Sequence, residues 1–222
     1  MATIQVDNAP ASRVEVGNTV LEAAAASDTA PVKARLAAFE KAHRAYLAAQ
    51  AQVTKADEAV RKCQAAVAES DVTQDEAVNA LAGALAGDGL NRTNPFKAFG
   101  FDAPSKLVNY GYAREAKEAR RLTATVRKKA GSSVATLRAL QKLEKAADAV
   151  VKALEPLTKL EDARRAAISR RDAVGLTWET TFAALKRGAR AAADDGATML
   201  FTALFDRPRA PKKPAVSTPP KA

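Results

Sequence analysis

The residue with the greatest potential for acid–base or metal chemistry is His43, the only histidine of the chain. It follows Glu40 at the Glu-x-x-His spacing that dinuclear carboxylate centres use inside helical bundles. Such a centre needs this motif twice together with two further glutamates, and a second histidine does not exist here. We therefore expect His43 to lie on a helix flank or to be a hydrogen-bonded core residue.

The single cysteine, Cys63, is the other potential nucleophile or ligand. It lies on the same predicted helix as His43, about 30 Å away at 1.5 Å per residue, so the two cannot act as a pair within that helix. A lone cysteine cannot form an intramolecular disulfide, which fits a reducing cytoplasm. Cys63 is interpreted as a small core residue.

Other catalytic patterns are missing or weak. The Gly-x-Gly at Gly87 does not extend into a dinucleotide motif, and no phosphate-binding P-loop sequence occurs. The adjacent carboxylates Asp57/Glu58 and Glu161/Asp162 have basic neighbours and are typical of ion-pairing helix surfaces. The sequence therefore predicts no catalytic, cofactor-binding or metal-binding residues, no cofactor, and a protein that is not an enzyme.

Positive charge is the strongest functional signal. Residues 1–100 contain 10 Lys/Arg and 12 Asp/Glu, whereas residues 101–222 contain 25 and 13. The candidate partner- or anion-binding residues are Arg114, Lys117, Arg121 and Lys128 on one helix face, and Arg207, Arg209, Lys212 and Lys213 near the C-terminus. Such residues suit an acidic surface or nucleic acid. The polar outer face of a bundle is the commoner origin of such residues.

The elements that carry these residues are helical. From Val32 to Ser70 no Gly or Pro intervenes, and bulky side chains recur every seventh residue. This candidate packing seam comprises Phe39, Tyr46, Val53, Val60 and Val67. A second row of small residues lies between them, which predicts a long helix that packs closely against partner helices.

Further helices follow from capping and stop signals. Thr73 and Glu76 form a capping box that predicts a separate short helix ending at Gly87. Residues 88–104 are predicted to be an aromatic loop, either buried or offered as a binding surface. Ser105 is predicted to cap the next helix, which runs to about residue 130 with Tyr112 facing inward.

The C-terminal half shows the same kinds of helix signals. A helix is expected from residue 134 with Leu137 in its inward stripe, and Pro156 should kink or divide it. Another helix is predicted to start near Thr177, followed by a last apolar turn at residues 199–205.

An internal duplication is one reading of the pattern. At an offset of 104 residues, two copies share the order long helix, threonine cap, short helix and glycine stop. This gives repeat halves 29–101 and 132–205 within a bundle spanning 29–206. Residues 1–28 are a poorly patterned segment with room for a short helix, and 207–222 are expected to be a disordered Pro/Lys-rich tail.

The predicted fold is all-α: an elongated, mainly antiparallel bundle of five or six helices, resembling coiled-coil hairpins. The function most compatible with it is non-enzymatic: self-association, or docking of a protein partner through the long helices and the basic C-terminal half. Non-specific nucleic-acid binding is the alternative, and attachment to a membrane or granule surface is a further one, although no apolar run is long enough to span a bilayer. A cytoplasmic location is expected.

Overall fold

The computed structural model describes residues 2–3, 9–129 and 133–207, and the fold is all-α, as the composition predicts. The helices are α1 (Pro10–Ala25), α2 (Lys33–Gly87), α3 (Pro104–Leu107), α4 (Tyr112–Lys128), α5 (Val134–Leu154), α6 (Leu157–Asp194) and α7 (Leu200–Phe205). Short 3-10 helices lie at Ala30–Val32 and Pro95–Phe99, and the two-residue strands β1 (Ala2–Thr3) and β2 (Asp206–Arg207) pair antiparallel. Within these described ranges no helix is long and apolar enough to cross a bilayer.

The row of bulky residues on α2 is buried along its whole predicted length. Phe39, Tyr46, Val53, Val60 and Val67 are all less than one-tenth exposed. Residues of the small row lie beside them, including Ala42 and Cys63, which are also buried. Burial of the bulky row and of these small residues provides apolar area that stabilises so long a helix, which alone would be marginal.

The predicted break in α2 is wrong. The helix runs on to Gly87, and Thr73 is not a cap: its hydroxyl donates 3.2 Å back to the carbonyl of Glu69 within the helix. The physical reason is that the seven-residue row continues past Val67 through Gln74 to Leu81, both fully buried. Continuous burial outweighs a capping preference of about 1 kcal/mol.

The proline prediction agrees with the structure, whereas the predicted start near Thr177 is wrong. Only Glu155 and Pro156 separate α5 from α6, and Glu155 keeps helical dihedrals, so the proline divides the helix by an interruption of two residues. The helix then passes through Thr177 without interruption, and Thr181 in the following turn donates its hydroxyl 2.9 Å to the Thr177 carbonyl.

The predicted helix from Ser105 is also wrong in its start. Pro104 opens the short α3, and α4 begins only after Gly111, whose extended dihedrals place it as the N-cap. The intervening turn is held by the Tyr110 hydroxyl, which donates 2.5 Å to Asp102. Tyr112 therefore occupies the first position of α4 and is 42% exposed rather than inward.

At the start of α5 the residue in the core is Thr136 and not the predicted Leu137. Thr136 is fully buried, and its hydroxyl donates 2.7 Å to Asp88 at the end of α2. Leu137, predicted to face inward, is 47% exposed. The helix turns 100° per residue, so placing Thr136 inward carries its neighbour out of the stripe.

One compact unit is formed by the described residues of Met1–Val53 and Ala167–Ala222. Within it α2 and α6 are antiparallel: Gln50 contacts Arg171, whereas His43, seven residues earlier, contacts Trp178, seven residues later. Helices α1 and α7 contact each other beside them. The core comprises Val16, Val20, Ala24, Val32, Phe39, Tyr46, Trp178, Phe182, Leu185, Ala189, Leu200, Leu204 and Phe205.

The second compact unit is Thr54–Ala166. Here α2 again runs antiparallel to the α5–α6 segment, with Arg164 paired to Asp57 and the Cys63 thiol donating 3.4 Å to the Ala153 carbonyl. The core comprises Ala77, Val78, Leu81, Leu85, Phe96, Leu107, Ala116, Ala119, Leu122, Val126, Ala139, Leu140, Leu143, Ala146, Ala147 and Val150. Phe96 is fully buried in it, so the aromatic segment contributes to the core.

The two units do not coincide with the repeat halves 29–101 and 132–205, because each unit takes residues from both. The internal duplication stays a prediction. The N-terminal segment contains α1, a helix of 16 residues. The side chain of Arg207 and residues 208–222, including Arg209, Lys212 and Lys213, lie outside the described residues, so the tail prediction is untested.

Candidate functional site

Helix α4 carries the four predicted basic residues together. Arg114, Lys117, Arg121 and Lys128 are all exposed, at spacings of three, four and seven residues that place them on one side of the helix. We call this set the α4 basic face.

Half of the α4 basic face is engaged within the protein. The Arg114 guanidinium lies 3.9 Å from the centroid of the Tyr110 ring. Arg121 donates to both carboxylate oxygens of Glu118, at 2.8 and 3.0 Å. Exposed ion pairs of this kind contribute about 0–1 kcal/mol and open readily. Both side chains therefore remain recruitable by an acidic ligand, together with Lys117 and Lys128.

A second basic surface, not identified from the sequence, lies on α5. Arg138, Lys142, Lys145 and Lys152 are exposed and recur at helical spacing, and we call them the α5 basic row. Within the described part of the chain these four side chains form no ion pair. The acidic residues of α5 do not neutralise this row, because they form ion pairs with Arg120 and Arg127 of α4.

A groove borders the α5 basic row. Its volume is about 520 Å³, and it is lined by Thr73, Glu76, Ala77, Ala80, Lys142, Lys145, Ala146 and Ala149. Four alanines make much of this lining apolar, Glu76 is contributed by α2, and the two lysines are contributed by α5.

His43 is a hydrogen-bonded core residue, one of the two roles expected from the sequence. Its Nδ1 accepts a hydrogen bond of 3.0 Å from the indole of Trp178, and its Nε2 lies 2.9 Å from Oδ1 of Asn18. An Nδ1 that accepts requires the tautomer protonated at Nε2, which donates to Asn18. Burial lowers the pKa of His43, so the neutral ring is favoured.

A cluster of polar side chains inside the second unit was not predicted from the sequence. Asp71, Gln74 and Asp75 of α2 meet Glu115 from the first turn of α4, and one carboxylate oxygen from each acid lies within 4.8 Å of the others. We call these four residues the carboxylate cluster. Gln74 and Glu115 are fully buried, and both polar atoms of each lack a hydrogen bond of normal geometry.

Electrostatics in the carboxylate cluster are unfavourable for three free carboxylates. Burial, together with Asp75 and Asp71, raises the pKa of Glu115 to about 7, although the nearby Gln74 amide favours the charged form. Burial and Asp75 also raise the pKa of Asp71. Glu115 is therefore about half protonated near neutral pH, with its charge uncompensated when ionised.

Part of the carboxylate cluster could have been recognised in the sequence. The seven-residue row of α2 places a polar residue, Gln74, at a core position, but the predicted helix end at Ser70 hid it. Asp71 and Asp75 are like charges four residues apart, a destabilising arrangement on a helix surface. Glu115 could not be linked to them, because that contact depends on how α4 packs on α2.

Comparison of the chain with protein families, curated proteins and solved structures finds no match in any of the three.

Proposed function

We propose that this chain is a non-enzymatic interaction protein that binds an acidic protein surface through the α5 basic row and the α4 basic face. The observation that carries the proposal is the α5 basic row: four exposed cations with no ion pair among the described residues. Neighbouring members of the row are three to seven residues apart, or about 5–11 Å along the helix axis. At these separations unpaired cations reinforce each other's attraction for an acidic partner and speed its encounter.

The neighbouring helix explains why this row is available. On α5, Glu144 and Asp148 would neutralise part of it, but they pair with Arg127 and Arg120 of α4. The acidic side chains are thereby used to join α4 to α5. The lysines are left for external contacts.

The test compares two variants with the same loss of charge. One changes the α5 basic row to glutamine: Arg138→Gln, Lys142→Gln, Lys145→Gln and Lys152→Gln. The control changes four exposed lysines of α2: Lys33→Gln, Lys41→Gln, Lys55→Gln and Lys62→Gln. The probe is fluorescent poly-L-glutamate, and binding is measured by anisotropy in low salt.

We expect the α5 variant to bind at least tenfold more weakly than the unmodified protein and the control variant to change less than threefold. Equal losses in both variants would show that net charge alone acts and would contradict the proposal. Random duplex DNA and vesicles containing phosphatidylglycerol are run in parallel. Preferential binding of either one would favour the nucleic-acid or the membrane-surface alternative instead.

Self-association, the other half of the interaction hypothesis, is tested separately by light scattering. An assembly held by apolar helix faces should keep a mass well above 23.4 kDa in about 0.5 M salt, where exposed charges are screened. A 23.4 kDa species under all conditions would restrict the proposal to binding of a different partner.

A further inference from the structure

The carboxylate cluster concentrates acceptor atoms that the protein itself leaves unmatched. Buried atoms without a hydrogen bond include one oxygen each of Asp71 and Asp75, both oxygens of Glu115 and both polar atoms of the Gln74 amide. Each buried polar atom left without a partner costs about 1–3 kcal/mol. Native proteins seldom gather so many in one place, and an ion that satisfies them is one of the recognised explanations.

The first unit allows a comparison at the positions that the predicted duplication would make equivalent to this cluster. The residues 104 positions after Gln74 and Asp75 are Trp178 and Glu179, and α1 supplies Arg13, which pairs with Glu179. In the second unit α4 supplies Glu115, another acid, opposite Asp75. The acid of the first unit is thus paired with the positive charge of Arg13, whereas the acid of the second unit lies near a further negative charge.

We propose that Asp71, Asp75 and Glu115, with the carbonyl oxygen of Gln74, bind one hard divalent cation of the size of Ca²⁺. The donors are all oxygen atoms, which favours Ca²⁺, Mg²⁺ or Mn²⁺ over zinc or copper. Gln74 is fully buried, and its amide NH2 is close enough to Glu115 to favour the charged carboxylate; turning this amide by about 180° presents its carbonyl oxygen to a cation as an uncharged ligand.

Coordination preferences favour calcium over magnesium. Ca²⁺ accepts about six to eight oxygen ligands in flexible geometry, whereas Mg²⁺ requires a near-ideal octahedron and usually keeps several waters. The three carboxylate oxygens lie within 4.8 Å of one another, close enough for one calcium ion to contact all three. Asp71 and Asp75 are only half-buried, so water can complete the coordination shell. This site is independent of the basic surfaces that carry the proposed function.

The experiment uses the full chain after chelator treatment, titrated with CaCl2 by calorimetry, with MgCl2 and MnCl2 as comparisons. We expect one site with a Kd of about 10⁻⁴ M or tighter, weaker binding of Mg²⁺, and a melting temperature that rises with calcium. Glu115→Gln removes a charged ligand with little change of shape and should weaken calcium binding at least tenfold. Asp75→Asn is a second variant with the same expectation.

The control is Glu118→Gln, the same chemical change one turn along α4 at a residue that pairs with Arg121 instead. It should bind calcium within twofold of the unmodified protein. Glu115→Gln should melt no lower than the unmodified protein without calcium, which shows that it folds. Absence of calcium-dependent heat at millimolar concentration, or full affinity in both cluster variants, would overturn the proposal. So would melting that responds to pH alone, the behaviour of acids that merely share a proton.

Discussion

The centres of the two compact units differ in the chemistry of their buried side chains. In the first, the row of α6 that faces α2 contains Trp178, whose indole is hydrogen-bonded to His43 and stacked on Phe182 with ring centroids 4.9 Å apart. In the second, the residue 104 positions earlier is Gln74, surrounded by acids. The first centre is aromatic, and its His43 and Trp178 nitrogens are hydrogen-bonded although the Tyr46 hydroxyl has no hydrogen bond among the described residues. The second centre is polar, and six of its buried side-chain atoms lack a hydrogen bond to any residue that the structure describes.

This difference shows where stability and function are expected to reside. An aromatic cluster contributes by burial and ring contacts, and needs nothing from outside. A buried carboxylate cluster costs free energy until a proton or a cation compensates it. The second unit also carries the unpaired lysines of the α5 basic row, so both features for which we propose a ligand belong to the same unit.

The largest expected effect on the free energy of unfolding comes from truncating the tryptophan of the aromatic centre. Trp178→Ala should lower the free energy of unfolding by ~3–5 kcal/mol, because it leaves a large cavity and removes the donor to His43. Leu176→Ala, two residues away and at a side chain that is 67% exposed, is the control and should change it by less than ~0.5 kcal/mol. Urea unfolding followed by circular dichroism measures the free energy of unfolding of both variants. Similar losses of stability in the two would contradict the assignment of a stabilising centre here.

The pH dependence of stability should distinguish the polar centre. The pKa of Glu115 in the folded protein is about 7, above its ordinary value of 4.5, so between these values the folded state holds a proton that the unfolded state has released. The unfolding free energy therefore falls as pH rises from 4.5 to 7, by ~2–3 kcal/mol in total. His43, whose pKa is lowered, acts oppositely and reduces stability as pH falls below about 6.5.

The difference between the unmodified protein and Glu115→Gln isolates this contribution, since His43 is common to both. Urea unfolding in the presence of chelator, at steps from pH 5 to 8, should show the Glu115→Gln variant gaining stability relative to the unmodified protein as pH rises. Glu118→Gln should run parallel to the unmodified protein. A constant difference between Glu115→Gln and the unmodified protein across this range would mean that Glu115 is not protonated in the folded state.

Gly17 tests the close packing of the first unit. A Cβ at this position would lie 2.1 Å from Cε1 of His43, so Gly17→Ala must displace the ring from Trp178 and Asn18. We expect a loss of ~1–3 kcal/mol by thermal unfolding, typical of an overpacked core. Gly83→Ala is the matched control: it meets nothing within 4 Å in α2 and should gain up to ~1 kcal/mol. A neutral Gly17→Ala would show that His43 has room to move.

The smallest effect is a stabilisation. Gln74→Leu replaces a buried amide that lacks hydrogen bonds with an apolar group of similar size, and should raise the free energy of unfolding by ~1–2 kcal/mol in the presence of chelator. The gain should shrink in calcium, where the variant lacks one ligand. Thermal melts with and without CaCl2 measure both. A loss of stability in chelator would show that the amide is satisfied in the folded protein.

Periodicity allowed much of the fold to be predicted. The recurrence of Phe39, Tyr46 and Val53 every seventh residue is a property of one helix, and burial follows from it directly. Capping signals were less reliable, because Thr73 and Ser105 compete with packing energies larger than a cap provides. The turn before α4 depends on a hydrogen bond between Tyr110 and Asp102, which a capping pattern does not encode.

The site was predictable only where it lies on one element. The α4 basic face needs nothing but helical spacing, and the structure places its four residues on one side of α4. The availability of the α5 basic row depends on which acids α4 neutralises, a contact between helices. The carboxylate cluster joins Asp71 to Glu115 across 44 residues of chain, and only tertiary packing brings them together.

The location of the sole tryptophan makes the chain its own spectroscopic reporter. Trp178 is fully buried in the first unit, so its emission follows the melting of that unit alone, whereas far-ultraviolet circular dichroism follows helix in both. Coincident midpoints from the two signals would mean one cooperative transition, and separated midpoints would give each unit its own. No label or inserted chromophore is required to tell these cases apart.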